Sequence, residues 1–208
     1  MCGVSTDGTL MSRVIEVDDD LQATLAVIRV LDDLHVPYVI GGSLASSTHG
    51  IARSTRDADL MADLRGHHVA PFIAVLQREF YVSEEAVREA IVHRRSFNLI
   101  HLQSGFKVDM FVKPESAFAQ SQFDRRKPQS VFADPTPQVF VLSPEDILLN
   151  KLVWYKEGGG VSDRQWNDIL GVLKVQGKRL DLVYLKHWAA ELGVTELLER
   201  VLHDGLQK

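Results

Sequence analysis

The sequence has little cysteine and lacks long apolar runs. Cys2 is the only cysteine among 208 residues, which excludes an internal disulfide and gives no sign of an extracellular compartment. No apolar stretch reaches the roughly 20 residues that a membrane-spanning helix needs. The beginning of the sequence lacks the apolar core of a signal peptide. These absences predict a cytoplasmic protein that does not interact with a membrane.

The sequence also has no excess of positive charge. The 23 Lys and Arg residues are outnumbered by 28 Asp and Glu residues, which gives a net charge of −5. Bulk electrostatics therefore do not favour nucleic acid, and a surface that binds it would have to be local. A hydrophobic content of 45% and a charged content of 25% are ordinary for a globular protein. The length suits one large domain, or a core with a small appendage.

Acidic residues are concentrated on two stretches that alternate in a strand-like pattern. In residues 57–64, Asp57 and Asp59 occupy one face of the predicted strand and apolar residues the other. Asp109 lies opposite the apolar face of residues 106–112. Two close carboxylates raise each other's pKa unless a cation lies between them, and Mg²⁺ prefers such oxygen ligands. A strand end that points its acids at water is the simpler alternative for Asp57 and Asp59.

A glycine turn precedes the first acidic stretch. Gly41, Gly42 and Ser43 follow a short apolar run and open a predicted helix at residues 44–49. Glycine lets the backbone approach a ligand closely, and amides at a helix N-terminus can hold a phosphate. Ser43 would serve as an ordinary helix cap in either case. A phosphate-holding turn beside three strand carboxylates is typical of two-metal phosphoryl or nucleotidyl transfer.

Gly-Gly-Ser, a spacer, Asp-x-Asp and a later strand Asp together resemble the nucleotidyltransferase superfamily. That superfamily includes DNA polymerase β, kanamycin nucleotidyltransferase and the AbiEii-type toxins, and the resemblance covers about residues 20–115. It implies an α+β fold in which a mixed β-sheet is flanked by helices, with a C-terminal helical subdomain. The implied boundaries are a core at residues 14–142 and a helical part at residues 143–208.

The resemblance also implies a chemistry and a set of site residues. It is the transfer of a nucleoside monophosphate from an NTP to a hydroxyl acceptor, with two Mg²⁺ ions. The catalytic and metal-binding residues would be Asp57, Asp59 and Asp109, and Asp109 would also accept the acceptor's proton. The nucleotide would be held by Gly42, Ser43, Arg56, Lys151 and Asp168.

Lys151 and Asp168 match a helical Lys and a later helical Asp of AbiEii-like members. From the residues alone, Lys151 lies on an apolar helical stripe, where it either extends its stem along the core or reaches the triphosphate. In the second case Lys151→Met should lower transfer steeply, by on the order of 10²-fold or more, and stability should change little or even rise. Asp168 either forms an i,i+4 ion pair with Arg164 or orients Lys151.

The acceptor is open at this point. RNA, tRNA or another macromolecule is one class, and the basic clusters at residues 93–95 and 125–127 would then contact phosphates. Exposed helix ends and loops explain those clusters equally well. A small, aminoglycoside-like molecule is the second class, and an acidic cleft would favour such a cationic drug. A family member that binds nucleotide without turnover is the third, although all three carboxylates are present. The toxin likeness leaves open whether an antitoxin protein is a partner.

Apolar spacing and capping residues predict the remaining elements. The segment before residue 14 is predicted to be irregular, and one helix is predicted to run through Val69 to Phe80. Residues 97–102 and 106–112 are predicted to form a hairpin. Residues 138–142 are predicted to be an edge strand because prolines precede it. Helices are predicted to begin after Ser143 and Ser162.

Overall fold

The computed structural model describes residues 7–51, 57–130 and 138–206, with side chains described for residues 20–205 of these ranges. Helices and strands are interspersed up to residue 141, and only helices follow among the described residues. Two short 3₁₀ helices, Gly66–His68 and Gly177–Arg179, lie between longer elements. In chain order the elements are α1 (Asp7–Asp33), β1 (Tyr38–Ile40), α2 (Gly42–His49), β2 (Asp57–Ala62), α3 (Val69–Leu76), β3 (Phe80–Tyr81), α4 (Glu84–His93), β4 (Ser96–His101), β5 (Lys107–Val112), α5 (Ala117–Arg125), β6 (Lys127–Gln129), β7 (Val139–Val141), α6 (Pro144–Glu157), α7 (Asp163–Gln176), α8 (Leu182–Glu191) and α9 (Thr195–Leu206).

One mixed sheet joins the strands in the order β3-β4-β5-β2-β1-β7-β6. The pairs β2–β5 and β1–β7 are parallel, and the other neighbouring pairs are antiparallel. The central strands β2 and β5 therefore run side by side in the same direction. This architecture confirms the predicted α+β fold with a mixed sheet and flanking helices.

The alternation of apolar and polar residues in β2 and β5 determines which face of the sheet is buried in the core. Ala58, Leu60, Val108 and Met110 have no exposed surface, and they belong to a hydrophobic core between the sheet and its helices. Helix α4 packs against β4 and β5. The residues between these apolar positions are only partly buried. One face of the central strands is thus committed to the core, and the other is available for polar chemistry.

Serine caps set the starts of several helices where the sequence predicted them. The Ser143 hydroxyl accepts a hydrogen bond from the Asp146 amide, and Pro144 occupies the first turn of α6. The Ser162 hydroxyl accepts one from the Gln165 amide at the start of α7. The β4–β5 hairpin is also confirmed.

Three local predictions are wrong. Helix α3 ends at Leu76, and Phe80 instead pairs with His101 as a short strand, although its spacing fits the helix. Helix α1 already begins at Asp7, within the segment predicted to be irregular. Strand β7 is not an edge strand, because β6 pairs along its outer side. Helix α5 ends at Arg125, and Lys127–Gln129 form β6, so Pro128 lies in the true edge strand.

The helices α6 to α9 follow the sheet, and α6 contacts α2 as well as α7 and α8. The boundary between residues 142 and 143 as a domain division stays a prediction. Within the described parts of the chain, no helix is both long and apolar enough to cross a bilayer.

Candidate active site

Three carboxylates share the polar face of the two central parallel strands. Asp59 and Asp109 are direct register partners, and Asp57 is the partner of Lys107. Side chains at paired positions of neighbouring strands point to the same face of a sheet. Asp109 therefore lies beside Asp59 and not on the core face, as the sequence predicted.

The Gly41-Gly42 turn lies directly against Asp59. The Gly41 amide donates a 2.9 Å hydrogen bond to the Asp59 carbonyl oxygen. Gly42 has a φ of +54°, and a Cβ atom there would lie 1.7 Å from Asp59 Oδ2. The position thus requires glycine both for its backbone conformation and for the space that the carboxylate occupies. The turn shapes the carboxylate site as much as it shapes the start of α2.

The electrostatics of Asp59 favour a nearby cation. Burial raises the pKa of Asp59 to about 6, and the charges of Asp57 and Asp109 contribute to the same shift. A hydrogen bond from the Ser43 amide and the positive charge of Lys151 act in the opposite direction. The Ser43 amide therefore stabilises a carboxylate in this structure, and its predicted contact with a phosphate stays a prediction.

Lys107 neutralises part of this acidic cluster. Its Nζ lies 2.6 Å from Asp109 Oδ2, and this hydrogen bond raises the pKa of Lys107, with further contributions from Asp109, Asp57 and Asp59. The sequence reasoning missed Lys107. The signal was available, since a lysine two residues before Asp109 on the same strand lies on the same face.

The donor set suits Mg²⁺ in chemistry, since it consists of mutually repelling carboxylates beside a position where only glycine fits. Within residues 7–51, 57–130 and 138–206, however, no three Asp, Glu, His or Cys side chains converge into a metal cluster. The assignment of Asp57, Asp59 and Asp109 as metal ligands stays a prediction.

Lys151 and Asp168 join α6 to α7. Lys151 Nζ donates a 2.8 Å hydrogen bond to Asp168 Oδ2, and the two side chains are only 5% and 9% exposed. Of the two alternatives for Asp168, the structure thus favours contact with Lys151. Arg164 instead donates to the Ser43 hydroxyl, with a long separation of 3.4 Å between Nη2 and Oγ. The sequence reasoning had considered Arg164 only as a partner of Asp168.

The remaining candidates separate into two groups. Arg56 lies outside the described residues. One arginine of each basic cluster is engaged in contacts within the molecule: Arg94 pairs with Glu115, and Arg125 pairs with Glu145 and stacks on the ring of Tyr184. These contacts favour a structural role for both arginines over phosphate binding.

Comparisons with known proteins give one clear result, and it concerns the fold. No protein-family model matches the sequence, and no curated protein matches it. Among solved structures, the antibiotic-resistance factor ANT(2'')-Ia in solution matches with a TM-score of 0.56 and 12% identity, over 88% of this chain and 98% of that one. ANT(2'')-Ia in complex with adenylyl-2''-tobramycin matches with a TM-score of 0.53 and 14% identity, over 83% and 97% of the chains.

A weaker likeness, with a TM-score of 0.48 and 20% identity, links 85% of the chain to 92% of an antigenic nucleotidyltransferase-like protein from Paracoccidioides brasiliensis. The specific likeness to AbiEii-type toxins does not emerge from these comparisons. The two stronger matches span nearly the whole length of the other chain, so the likeness extends beyond the acidic strands to the helical half. These two matches show that this chain shares the fold of ANT(2'')-Ia.

Proposed function

We propose that the protein transfers a nucleoside monophosphate from an NTP to a hydroxyl acceptor in a Mg²⁺-dependent reaction. The acceptor oxygen bonds to the α-phosphorus, and the bond from that phosphorus to the β-phosphate's bridging oxygen breaks. Pyrophosphate leaves, and the acceptor proton passes to Asp109. The fold of adenylyl-tobramycin-bound ANT(2'')-Ia is consistent with this reaction class, although tobramycin itself is a ligand of that protein.

The proposal rests on the arrangement of the carboxylates and the glycine turn. Asp59 and Asp109 are register partners on parallel strands, and Gly42 lies directly against the side chain of Asp59. This places two carboxylates of the Asp-x-Asp…Asp pattern on one face, at the N-terminus of α2. When bound, Mg²⁺ would neutralise the triphosphate and lower the pKa of the acceptor hydroxyl. Asp57, Asp59 and Asp109 would hold it, and Lys107 would then have to release Asp109.

The triphosphate would lie between α2 and the α6–α7 pair. Ser43 is only 8% exposed, and Arg164 reaches its hydroxyl from α7. The charge of Lys151 acts on Asp59, so this ammonium is near the carboxylates as well as Asp168. Positive groups at that position stabilise charge that develops on a transferring phosphoryl group. Asp168 would orient Lys151 toward the nucleotide.

Titration calorimetry with each NTP tests this assignment. We expect binding that requires Mg²⁺ and weakens as salt is added, because the triphosphate contacts are largely electrostatic. Asp59→Asn should remove the Mg²⁺ dependence of NTP binding. The matched control is Asp33→Asn, which changes an exposed carboxylate at the end of α1 and should bind like the wild type. Tight NTP binding by the wild type without any divalent ion would contradict the proposal.

A further inference from the structure

A cavity of about 530 Å³ opens on the polar sheet face next to the carboxylates. Asp59 and Gly42 line one end of it, and Met61 on β2 and Phe111 on β5 lie farther along the same two strands. Helices α5 and α6 contribute the opposite walls, which include Phe118 and Trp154. Its volume is in the usual range for small-molecule sites, about 300 to 1,000 Å³.

The apolar side chains of this cavity are not sealed into the core. Met61, Phe111, Phe118 and Trp154 are each partly exposed. Partly exposed aromatic and thioether groups that surround a cavity provide contact area for an apolar ligand. A ligand seated there would extend along the sheet face from the carboxylates of the proposed reaction.

Charge in the cavity does not suit a polycation. The charged residues among its lining are Asp59, Arg94 and Arg95. Arg94 is already neutralised by Glu115 and by Asp63, whose Oδ1 lies 3.7 Å from its Nη1. Arg95 adds an exposed positive charge. Among the described residues that line the cavity, Asp59 is the single carboxylate, and the proposed function commits it to metal and nucleotide. An ammonium group in the apolar part would find no carboxylate to pair with among these described lining residues, which is costly.

Uncharged polar groups lie between the apolar walls. Gln122 Nε2 donates a 3.0 Å hydrogen bond to Asn150 Oδ1, and both residues line the cavity. Side-chain amides of this kind fix the orientation of a neutral ligand without demanding a charge. The lining thus combines aromatic contact, neutral hydrogen bonding, the carboxylate of Asp59 and the guanidinium groups of Arg94 and Arg95.

We infer that this cavity is the acceptor site and that the acceptor is an uncharged, hydroxyl-bearing molecule with an apolar, aromatic-sized body. The inference rests on the proposed function, because it places the acceptor's hydroxyl at the Asp59 end. It selects a small molecule over RNA and a neutral one over an aminoglycoside-like polycation. The ligand's hydroxyl faces the carboxylates, and its body lies between Phe111 and Trp154.

The experiment uses the full chain with Mg²⁺ and a saturating NTP, and follows the tryptophan indole signals by ¹⁵N NMR. The probes are tyrosol and tyramine, which share a phenol but differ in a neutral or a cationic tail, and tobramycin as a polycation. We expect tyrosol to shift the Trp154 indole and to bind on the order of tenfold more tightly than tyramine. Trp166, which packs on Tyr155 and Arg200 away from the cavity lining, should not shift.

Met61→Trp fills the cavity and should abolish the tyrosol shift, whereas Val183→Trp adds the same side chain at an exposed position of α8 and should leave it unchanged. If the wild type binds NTP but tyrosol does not shift Trp154, or if tyramine or tobramycin binds more tightly, the inference is overturned. The same holds if Met61→Trp also removes NTP binding, because the cavity would then hold the nucleobase. Absence of NTP binding in the wild type instead overturns the proposed function.

Discussion

At the scale of single residues, Gly42 is the position where the backbone and the site depend on each other most directly. Its φ of +54° is a left-handed conformation, which costs a residue with a Cβ atom about 1 to 2 kcal/mol. A Cβ atom there would also collide with the Asp59 carboxylate. Gly42→Ala should therefore lower the free energy of unfolding by more than about 2 kcal/mol and abolish Mg²⁺-dependent NTP binding.

Gly105→Ala is the matched control, measured by urea unfolding and calorimetry. Gly105 has a φ of +72°, but a Cβ atom there would meet nothing within 4 Å. Gly105→Ala should lose only the stability that the backbone conformation costs, and it should bind NTP normally. Equal effects of the two variants on NTP binding would show that the contact between Gly42 and Asp59 has no role in the site.

His49 gives the protein a specific pH dependence at the end of α2. Its Nε2 donates a 2.9 Å hydrogen bond to the Leu142 carbonyl, and burial lowers its pKa from the ordinary 6.5. The unfolded chain therefore takes up a proton before the folded protein does as the pH falls below about 6.5. The stability contributed by neutral His49 is complete above that pH and is lost as the pH falls toward the folded-state pKa.

This coupling between proton uptake and unfolding changes the free energy of unfolding by at most about 1.4 kcal/mol per pH unit. Urea unfolding between pH 7.5 and pH 5 should show a smaller loss of stability for His49→Gln, which keeps an N–H group for the Leu142 carbonyl. The control is His93→Gln, an exposed position at the end of α4, which should follow the wild type. If the stability of His49→Gln falls with pH as steeply as that of the wild type, the pH dependence does not come from His49.

At the scale of elements, the Lys151–Asp168 pair changes an expectation drawn from the sequence. Lys151→Met was expected to change stability little, because an isolated lysine on an apolar stripe gains from losing its charge. In the structure its partner is 9% exposed, so the substitution leaves a buried carboxylate without its ammonium. Removing one partner of a buried pair typically costs about 3 to 5 kcal/mol. Lys151→Met should be destabilised by that order of magnitude.

The double variant Lys151→Met/Asp168→Leu removes both charges and should recover most of the lost stability in urea unfolding. Both variants should still lose transfer activity, because Lys151 would no longer act on the triphosphate. If Lys151→Met unfolds within about 1 kcal/mol of the wild type, the pair does not hold α6 against α7.

The sequence predicted the elements whose pattern is local. Alternation placed Asp57, Asp59 and Asp109 on strands, and Ser143 and Ser162 marked helix starts, since capping and strand periodicity depend on near neighbours. It failed where pairing between distant segments decides the structure. Phe80 fits a helix by its spacing, yet pairing with β4 draws it into a strand.

The same limit applies to the candidate site. Residue types and spacing are enough to nominate the three carboxylates and Lys151. They also place Lys107 on the same strand face as Asp109, but they do not reveal the approach of Arg164 to Ser43 across 121 residues. The edge position of β6 is likewise decided by tertiary packing, because no local pattern distinguishes a strand's inner side from its outer side.

At the scale of the whole molecule, the sheet and the helices after it form opposite sides of one candidate cleft. The sheet contributes Asp59 of β2, and α6 contributes Asn150 and Trp154, to the same cavity. The nucleotide and acceptor would therefore meet between elements that are distant in sequence. Because both sides contribute residues to the site, substitutions on either side should stop the same chemical step.

The most direct measurement is transfer of label from NTPs labelled at the α- or γ-phosphate, with Mg²⁺ and a panel of neutral hydroxyl compounds, aminoglycosides and total RNA. The wild type should place α-label on an acceptor and release γ-label as pyrophosphate. Asp59→Asn should lower transfer by on the order of 10²-fold or more while keeping its urea unfolding curve, since the charge contact is lost without core packing. Transfer of γ-label to the acceptor, or wild-type transfer by Asp59→Asn, would contradict nucleotidyl transfer at this site.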